Sequence, residues 1–454
     1  MIAFTLSRLC MPLAGELIGC DTEFRAVSTD TRTIAPGDLF VALKGPNFDG
    51  HDYLEKAAEC GAAAAIVSRP APAELSALIV KDTRIALGRL AALWRKQCIA
   101  PLIAVTGSNG KTTVKEMIAA ILGRRGKVLA SRGNYNNDIG LPLTLMRLQE
   151  QDYAVVEMGA NKSGEIANLS NIAAPDTVVI TNAGRAHIEG FGSLEGVARA
   201  KSEILEGLRA DGCFVLNADD PWADFWRARA GSHRVKSFGV VHPADVTSPR
   251  DALTLQWSES GFVSRFPVST PDGEGEIRLA LAGSHNRMNA LAAIAAAQTA
   301  GAAWDDIQTG LALLKPVPGR LQPLAGDNGI GIINDSYNAN PDSVKAAIDM
   351  LATAPGRRWL VLGELAEMGE DGSAFYRELG EYANRSGIDR LYALGNAGQA
   401  AAMLGESGAT FTTRQQMIDR LRAELRPGDR VLVKGSRSAA MERVVQALCA
   451  EGGA

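Results

Sequence analysis

A glycine-rich loop lies between a short apolar stretch and a helical pattern, and this order constrains the fold more than any other feature. The apolar stretch covers residues 102–105 and the helical pattern covers 113–125. Glycines let backbone N–H groups turn toward an anion, and the helix N-terminus adds partial positive charge. A loop lysine supplies a full charge for the β- and γ-phosphates, and a threonine supplies a hydroxyl for Mg²⁺. We therefore expect a nucleotide-phosphate site formed by Gly107, Ser108, Asn109, Gly110, Lys111, Thr112 and Thr113.

The loop departs from the general phosphate-loop pattern at one position. That pattern requires a glycine five residues before Gly110, where this chain has Val105. The alternative is a glycine-rich turn that merely connects a strand to a helix. The strand before the loop and the helix after it favour phosphate binding.

Length and charge limit the classes of protein that fit. A chain of 454 residues predicts about three domains. The net charge of -4 excludes a global attraction to nucleic acid or to anionic membranes. The sequence has neither a signal-peptide pattern nor an apolar run of membrane-spanning length. Its six cysteines lack the spacing of a zinc ribbon or a CxxC pair, so we expect reduced thiols in a cytoplasmic protein.

Strand and helix patterns alternate along most of the chain and predict an α/β fold with three domains. We expect a mixed α/β domain over residues 1–98 and a P-loop-type ATPase domain with a mostly parallel sheet over 99–315. A Rossmann-like, doubly wound domain is expected over 316–454. Residues 228–280 are polar and turn-rich, which predicts a small antiparallel patch within the central domain.

A carboxylate follows the loop at the end of the next predicted central strand, 153–157. Glu157 is thereby well placed to hold a magnesium ion that bridges ATP phosphates. His187 and Lys201 come later in the chain. Taken singly, a histidine after a strand is usually structural, and a helix lysine is usually solvated.

The loop, followed by Glu157, His187 and Lys201 in that order, resembles the Mur ligase family of bacterial cell-wall enzymes. The resemblance covers essentially the whole chain. It implies that Lys111, Lys201 and His187 are catalytic and that CO₂ carbamylates Lys201. It also implies a magnesium site formed by Thr112, Glu157, His187 and Lys201. Further ATP contacts are implied for Asn286, Asn289, Arg320 and Asp335, although helix capping by Asn286 stays open.

The outer domains resemble one branch of that family. Residues 335–341 read Asp-Ser-Tyr-Asn-Ala-Asn-Pro, and 433–438 also match the ligases that use D-alanyl-D-alanine. The resemblance implies an acceptor or substrate loop with Asn134, Asn137, Tyr337, Asn338 and Asn340. It implies UDP contacts in the first domain from Ser28, Asp30, Thr31, Arg32, Lys44, Gly45, Asp49, Gly50 and His51. Without the resemblance, these nine residues equally fit a turn and a strand-end loop.

The implied activity is an ATP- and Mg²⁺-dependent ligation in the cytoplasm by a monomer. It would join D-alanyl-D-alanine to UDP-MurNAc-tripeptide through an acyl phosphate, giving UDP-MurNAc-pentapeptide for peptidoglycan. The alternatives are another amide ligase, such as the third-residue-adding Mur ligase or a folylpolyglutamate synthetase, and a nucleotide switch or regulatory ATPase that forms no bond. The third residue of the tripeptide, lysine or diaminopimelate, stays open.

Overall fold

The first part of the chain forms a small sheet with helices. The computed structural model describes residues 3–72, 74–185, 188–258, 261–366 and 372–449. Strands β4 to β7 are parallel, and β2 joins the edge antiparallel in the order β2-β7-β6-β5-β4. Its elements are β1 (Phe4–Thr5), α1 (Leu6–Leu13), β2 (Glu16–Ile18), β3 (Glu23–Phe24), β4 (Val27–Ser28), β5 (Leu39–Val41), α2 (Leu54–Glu59), β6 (Ala64–Val67), β7 (Ala77–Ile79) and α3 (Thr83–Lys96).

The central part is built on a larger sheet with the order β15-β16-β14-β13-β12-β11-β8-β10-β9, and β17 pairs with β16. Strands β8 to β13 are parallel, whereas β15 to β17 are antiparallel. The elements are β8 (Leu102–Thr106), α4 (Lys111–Leu122), β9 (Val128–Ala130), α5 (Gly140–Leu145), β10 (Tyr153–Glu157), α6 (Glu165–Ala173), β11 (Thr177–Ile180), α7 (Ile188–Phe191), α8 (Leu194–Ser202), β12 (Cys213–Asn217), α9 (Ala223–Arg229), β13 (Arg234–Gly239), β14 (Val246–Thr247), β15 (Thr254–Ser258), β16 (Gly261–Thr270), β17 (Gly273–Leu279), α10 (Ser284–Thr299) and α11 (Trp304–Ala312).

The central strands are apolar because helices cover both faces of their sheet. Alternate residues of β8 enter different cores, with Leu102 on one face and Ile103 on the other. The core of the first face also contains side chains from α1 and α3. The first and central parts of the chain therefore share one hydrophobic core. The second face is covered by α4 and by the alanine-rich α10.

The third part has the sheet order β18-β19-β23-β20-β21-β22, parallel except for the edge strand β18. Two cores lie on its faces, as expected for a doubly wound sheet. The elements are β18 (Gln322–Ala325), β19 (Gly331–Asp335), α12 (Pro341–Ala352), β20 (Arg358–Leu362), α13 (Gly372–Arg385), β21 (Arg390–Leu394), α14 (Gly398–Ala402), β22 (Gly408–Phe411), α15 (Arg414–Glu424), β23 (Arg430–Lys434) and α16 (Glu442–Leu448).

The predicted α/β class is confirmed, and β10 has the bounds predicted for the strand over 153–157. The expected antiparallel patch is part of the main sheet, because β13 pairs parallel to β12 and leads into β14 to β17. Within the described ranges, no helix has the length and apolar character needed to cross a membrane.

Candidate active site

The glycine loop crosses the carboxyl edge of the central sheet between β8 and α4. Gly107 and Gly110 have φ angles of +145° and +84°, which favour glycine. A Cβ atom on Gly107 would lie 1.9 Å from Thr181 Oγ1, and one on Gly110 would lie 2.3 Å from Asn289 Oδ1. The loop backbone therefore approaches its neighbours more closely than a side chain would permit.

Hydrogen bonds from the turn after β11 fix the shape of the loop. Ser108 Oγ donates to Gly184 O at 3.1 Å, and Asn182 Oδ1 accepts from Asn109 N at 3.0 Å. Thr181 Oγ1 donates to Asn109 O at 2.6 Å. Thr181 and Asn182, which sequence analysis did not assign to the site, thus hold the loop from the neighbouring strand.

Lys111 and Thr112 begin α4 and face different partners. Lys111 Nζ donates to Gly107 O at 2.7 Å, so its ammonium group lies over the loop. Burial lowers the pKa of Lys111, nearby Glu157 opposes that shift, and Arg320 adds to it. Thr112 Oγ1 donates to Glu157 Oε2 at 2.8 Å and accepts from Arg320 Nη2 at 3.0 Å. A hydroxyl, a carboxylate and a guanidinium therefore meet at the first turn of the helix.

Glu157 ends β10 and is buried. Its second oxygen accepts from Asn136 Nδ2 at 2.9 Å. The neighbouring Asn137 instead bonds to the first residue of α5, because its Oδ1 accepts from Gly140 N at 2.8 Å. Asn134 and Asn137 line the same cleft as the loop, but the amide that holds Glu157 belongs to Asn136.

Lys201, near the end of α8, is only 1% exposed. Its Nζ lies 5.4 Å from the centroid of the Phe191 ring. Burial lowers the pKa of Lys201 to about 7, and repulsion from Lys111 adds to the shift, while Glu203 and Glu165 oppose it. A large fraction of this amine is therefore uncharged near neutral pH. His187, the other predicted catalytic residue, lies outside the described residues.

The first turn of α10 lines the cleft beside the glycine loop. Asn286 Nδ2 donates to Ala282 O at 2.8 Å, and Asn289 Nδ2 donates to Asn286 Oδ1 at 3.0 Å. Both asparagines are buried. Burial also lowers the pKa of His285 to about 4, so its ring is neutral at physiological pH. Asn286 thus joins Asn289 in its own helix to Ala282 before it, whereas the N-cap of the helix is Gly283.

The third part of the chain supplies the remaining wall. Lys434 Nζ contacts Asp335 Oδ2 at 2.6 Å and donates to Asn338 O at 3.0 Å. This buried lysine was part of a matching motif but was not predicted as a site residue. Arg320 lies over the ring of Tyr337, with the guanidinium carbon 4.5 Å from the centroid. Asn340 Nδ2 donates to Asn109 Oδ1 at 2.8 Å, so the third domain touches the glycine loop itself.

These walls enclose a cleft of about 930 Å³. Its lining brings together most of the predicted ATP, metal and acceptor residues, namely Ser108, Asn109, Gly110, Lys111, Thr112, Thr113, Asn134, Asn137, Glu157, Asn286, Asn289, Arg320, Asp335, Tyr337, Asn338 and Asn340. Among the described residues, no group of three or more histidine, cysteine or acidic side chains is placed to hold a metal ion.

The predicted UDP residues lie at a different edge. Strands β4 and β5 are parallel neighbours, so the segments after them, which contain residues 28–32 and 44–51, leave the sheet at the same end. Arg32 Nη2 contacts Asp30 Oδ2 at 2.6 Å at the surface. His51 is buried, with Nδ1 2.6 Å from Asp49 Oδ1, and its Nε2 accepts from Ser68 N at 2.9 Å. His51 therefore braces the second segment from inside.

The chain matches known proteins over its whole length. Family models match residues 23–95 (Mur ligase family, catalytic domain), 105–297 (Mur ligase middle domain) and 319–437 (Mur ligase, glutamate ligase domain). The UDP-N-acetylmuramoyl-tripeptide--D-alanyl-D-alanine ligase of Escherichia coli (strain K12) is 46% identical, and the match covers 100% of both chains. The chain belongs to the Mur ligase family.

Two solved structures of Mur ligases have the same fold. A UDP-N-acetylmuramoylalanyl-D-glutamyl-2,6-diaminopimelate--D-alanyl-D-alanyl ligase from Acinetobacter baumannii is 35% identical, with a TM-score of 0.86 and 98% of both chains covered. A MurF ligase from Thermotoga maritima in complex with ADP is 29% identical, with a TM-score of 0.83, covering 93% of this chain and 96% of that one. Membership of the Mur ligase family confirms the predicted enzyme class, an ATP-dependent ligase.

Proposed function

We propose that this Mur ligase joins D-alanyl-D-alanine to UDP-MurNAc-tripeptide and releases ADP and phosphate. The observation that carries the proposal is the contact between Asn340 and Asn109, because it places the 335–341 signature against the ATP loop in one cleft. The name of the E. coli relative, which is similar over its full length, supports the same substrates. We also propose that the enzyme acts as a monomer in the cytoplasm.

Activation of the tripeptide carboxylate is the first step of the proposed reaction. A carboxylate oxygen attacks the γ-phosphorus of ATP, the bond to the β,γ-bridging oxygen breaks, and an acyl phosphate and ADP result. The loop N–H groups and Lys111 hold the phosphates and offset their charge. Arg320, 3.0 Å from Thr112 Oγ1, adds a second cation on the phosphate side.

The residues present also suit a magnesium ion. Thr112 Oγ1 and Glu157 Oε2, only 2.8 Å apart, are the hard oxygen donors that Mg²⁺ uses together with ATP phosphates. When bound, Mg²⁺ neutralises charge that develops on the transferring phosphoryl group. Glu157 is held toward Thr112 by Asn136, so this donor pair is positioned in advance.

Lys201 is the proposed site of carbamylation. Its neutral amine would form an N–C bond with CO₂ and lose one proton, which converts a buried cation into an anion. Such an anion would remove the repulsion with Lys111 that the unmodified lysine experiences. It would also provide the oxygen donors that a lysine lacks, either for the metal or for orienting the phosphoryl group.

Amide formation completes the reaction. The free amine of D-alanyl-D-alanine attacks the acyl carbon, and the tetrahedral intermediate expels phosphate. Tyr337, Asn338 and Asn340 line the same cleft as the ATP loop, which suits binding of the acceptor dipeptide. Contact between the two walls would exclude water from the acyl phosphate, which water would otherwise hydrolyse.

Phosphate release tests the proposal. It should require UDP-MurNAc-tripeptide and D-alanyl-D-alanine together, and a pentapeptide product should appear in equal amount by mass spectrometry. Release with a single amino acid as acceptor would instead indicate another amide ligase. ATP hydrolysis that is independent of any acceptor amine would indicate a switch or regulatory ATPase.

A further inference from the structure

An ion pair lies in the lining of the cleft where the first and central parts of the chain meet. Arg84, in the first turn of α3, donates from Nη2 to Asp138 Oδ1 at 2.6 Å, and its Nε donates to Asp138 Oδ2. Both side chains remain accessible, at 52% and 37% exposure. An ion pair this exposed contributes little to stability. Its position in the cleft suggests a different use.

The ion pair lies close to the phosphoryl site. Asp138 follows Asn136 by two residues, which spans at most about 7 Å. Asn136 Nδ2 is 2.9 Å from Glu157 Oε1, and Glu157 Oε2 is 2.8 Å from Thr112 Oγ1. The ion pair therefore belongs to the same cleft as the proposed phosphoryl site, and Asp138 lies two residues from the amide that holds its carboxylate.

Apart from Asp138, two acidic residues, Asp82 and Glu165, act electrostatically on Arg84. Glu165 also lines the cleft. Its Oε2 already accepts from Asn161 N at 2.7 Å and Lys162 N at 3.2 Å. The cleft lining also includes neutral amides, those of Asn134, Asn137, Asn161 and Asn168. Arg84 and Asp138 thus present one cation and one anion, side by side, to the cleft.

We propose that Arg84 and Asp138 bind the side-chain end of the tripeptide's third residue and select one that carries both a carboxylate and an ammonium group, as diaminopimelate does. The inference rests on the proposed function. Arg84 takes the carboxylate and Asp138 takes the ammonium, so the four charges alternate in sign. The side chain of a lysine ends in an ammonium group alone. That group would pair with Asp138, and Arg84 would lose its partner without gaining a carboxylate. Selectivity therefore comes from the charge left unpaired with the wrong substrate.

Two tripeptide substrates that differ only in the third residue test this inference. Initial rates are measured with UDP-MurNAc-tripeptides that carry diaminopimelate or lysine, for the wild type, Arg84→Ala, Arg84→Lys and Asp138→Asn. The wild type should prefer diaminopimelate. Arg84→Ala should reduce that preference about tenfold, mainly through KM for the diaminopimelate substrate, because a charge-assisted bidentate contact is lost. Arg84→Lys should lose part of the preference for diaminopimelate, and Asp138→Asn should raise KM for both substrates.

Arg265→Ala serves as the control, since the Arg265–Glu276 pair is similarly exposed but lies on β16 and β17. It should leave the preference unchanged. If Arg84→Ala reduced the rate equally with both substrates, the inference would be overturned. The ion pair would then serve only to join the first and central parts of the chain. A wild-type preference for lysine would also overturn it. If the wild type ligates neither substrate, the proposed function itself is wrong, and the two failures are thereby distinguished. Should Arg84→Ala not fold, Arg84→Lys decides the question.

Discussion

Single side chains determine how the phosphoryl site is prepared before ATP binds. Glu157 accepts hydrogen bonds from Thr112 on one oxygen and from Asn136 on the other. Its backbone N donates to Ser131 Oγ at 3.2 Å. A buried carboxylate with this many donors has little freedom to rotate, so its side chain loses little further conformational entropy when a cation binds.

The Lys201 amine provides a pH-dependent prediction. Because its pKa is lowered to about 7, the amine is mostly protonated below pH 7 and mostly neutral above it. Only the neutral amine reacts with CO₂, so activity should increase from pH 6 to 8 and then level off. Activity should also fall in CO₂-depleted buffer and return with bicarbonate. Lys201→Ala should lower kcat on the order of 10²-fold or more.

Lys56→Ala is a suitable control because Lys56 is an exposed lysine paired only with Glu59 among the described residues. The measurement is initial phosphate release across pH, with and without added bicarbonate. Full activity of Lys201→Ala would rule out carbamylation. Wild-type activity that does not change when CO₂ is removed or bicarbonate is added would also rule it out.

The asparagine-rich stretch 134–137 shows what sequence could not decide at this scale. The residue types predicted a polar substrate loop, and Asn134 and Asn137 do line the cleft. However, a loop has no periodicity that indicates which amide turns inward. Asn136 reaches Glu157, whereas Asn137 bonds to the first residue of a helix. Contacts made by Lys434 and Asn182 depend on tertiary packing and were equally inaccessible to sequence reasoning.

Helices and strands could be predicted from the sequence where burial requires their residues to be apolar. The central strands are mostly apolar because both faces are covered. The stretches predicted for β8 and β10 agree with the observed bounds to within one residue. By contrast, β22 is only partly buried, and α15 carries just Met417, Ile418 and Leu421 into the core. Neither element was predicted, since an exposed element has a weak apolar pattern.

The turn between β8 and α4 gives a prediction for a whole element. Gly110→Ala places a methyl group 2.3 Å from Asn289 Oδ1 at a φ of +84°, so the loop and α10 must move apart. The Kd for ATP, measured by calorimetry, should increase at least about tenfold. Gly231→Ala is the matched control, with a φ of +56° and no atom within 4 Å of the added carbon. It should affect the melting temperature but not ATP binding, and equal ATP affinities in the two variants would contradict the prediction.

The whole molecule is joined at the cleft by a few polar contacts between the central and third domains. Arg320 reaches Thr112, Asn340 reaches Asn109, and Asp342 Oδ2 accepts from Arg185 N at 2.9 Å. Asn340 also caps α12, since its Oδ1 accepts from Ser343 N at 2.8 Å. One side chain therefore links the glycine loop to α12 in the third part of the chain.

A double-mutant cycle measures this link. Asn340→Asp keeps the oxygen that caps α12 but removes the amide that donates to Asn109, and Asn109→Ala removes the acceptor. We expect the two changes in kcat/KM to be non-additive by about 1 kcal/mol, the usual contribution of one hydrogen bond. Rates would be compared for the four proteins at varied ATP and at varied D-alanyl-D-alanine. Strictly additive losses would mean that the contact does not couple the two domains.

The core shared by the first and central parts of the chain limits how this enzyme can be recombined with its relatives. Trp94 Nε1 donates to Leu148 O at 2.9 Å, and Arg95 Nε donates to Ala173 O at 3.0 Å, so α3 is fastened to the central domain. A chimera joined at residue 99 would place a foreign helix against these partners. A junction between β7 and α3 would instead keep α3 with the sheet it covers. The contacts of α3 with the first part would then need to be matched, such as Phe4 against Trp94 and the hydrogen bond from Thr83 Oγ1 to Ala42 O.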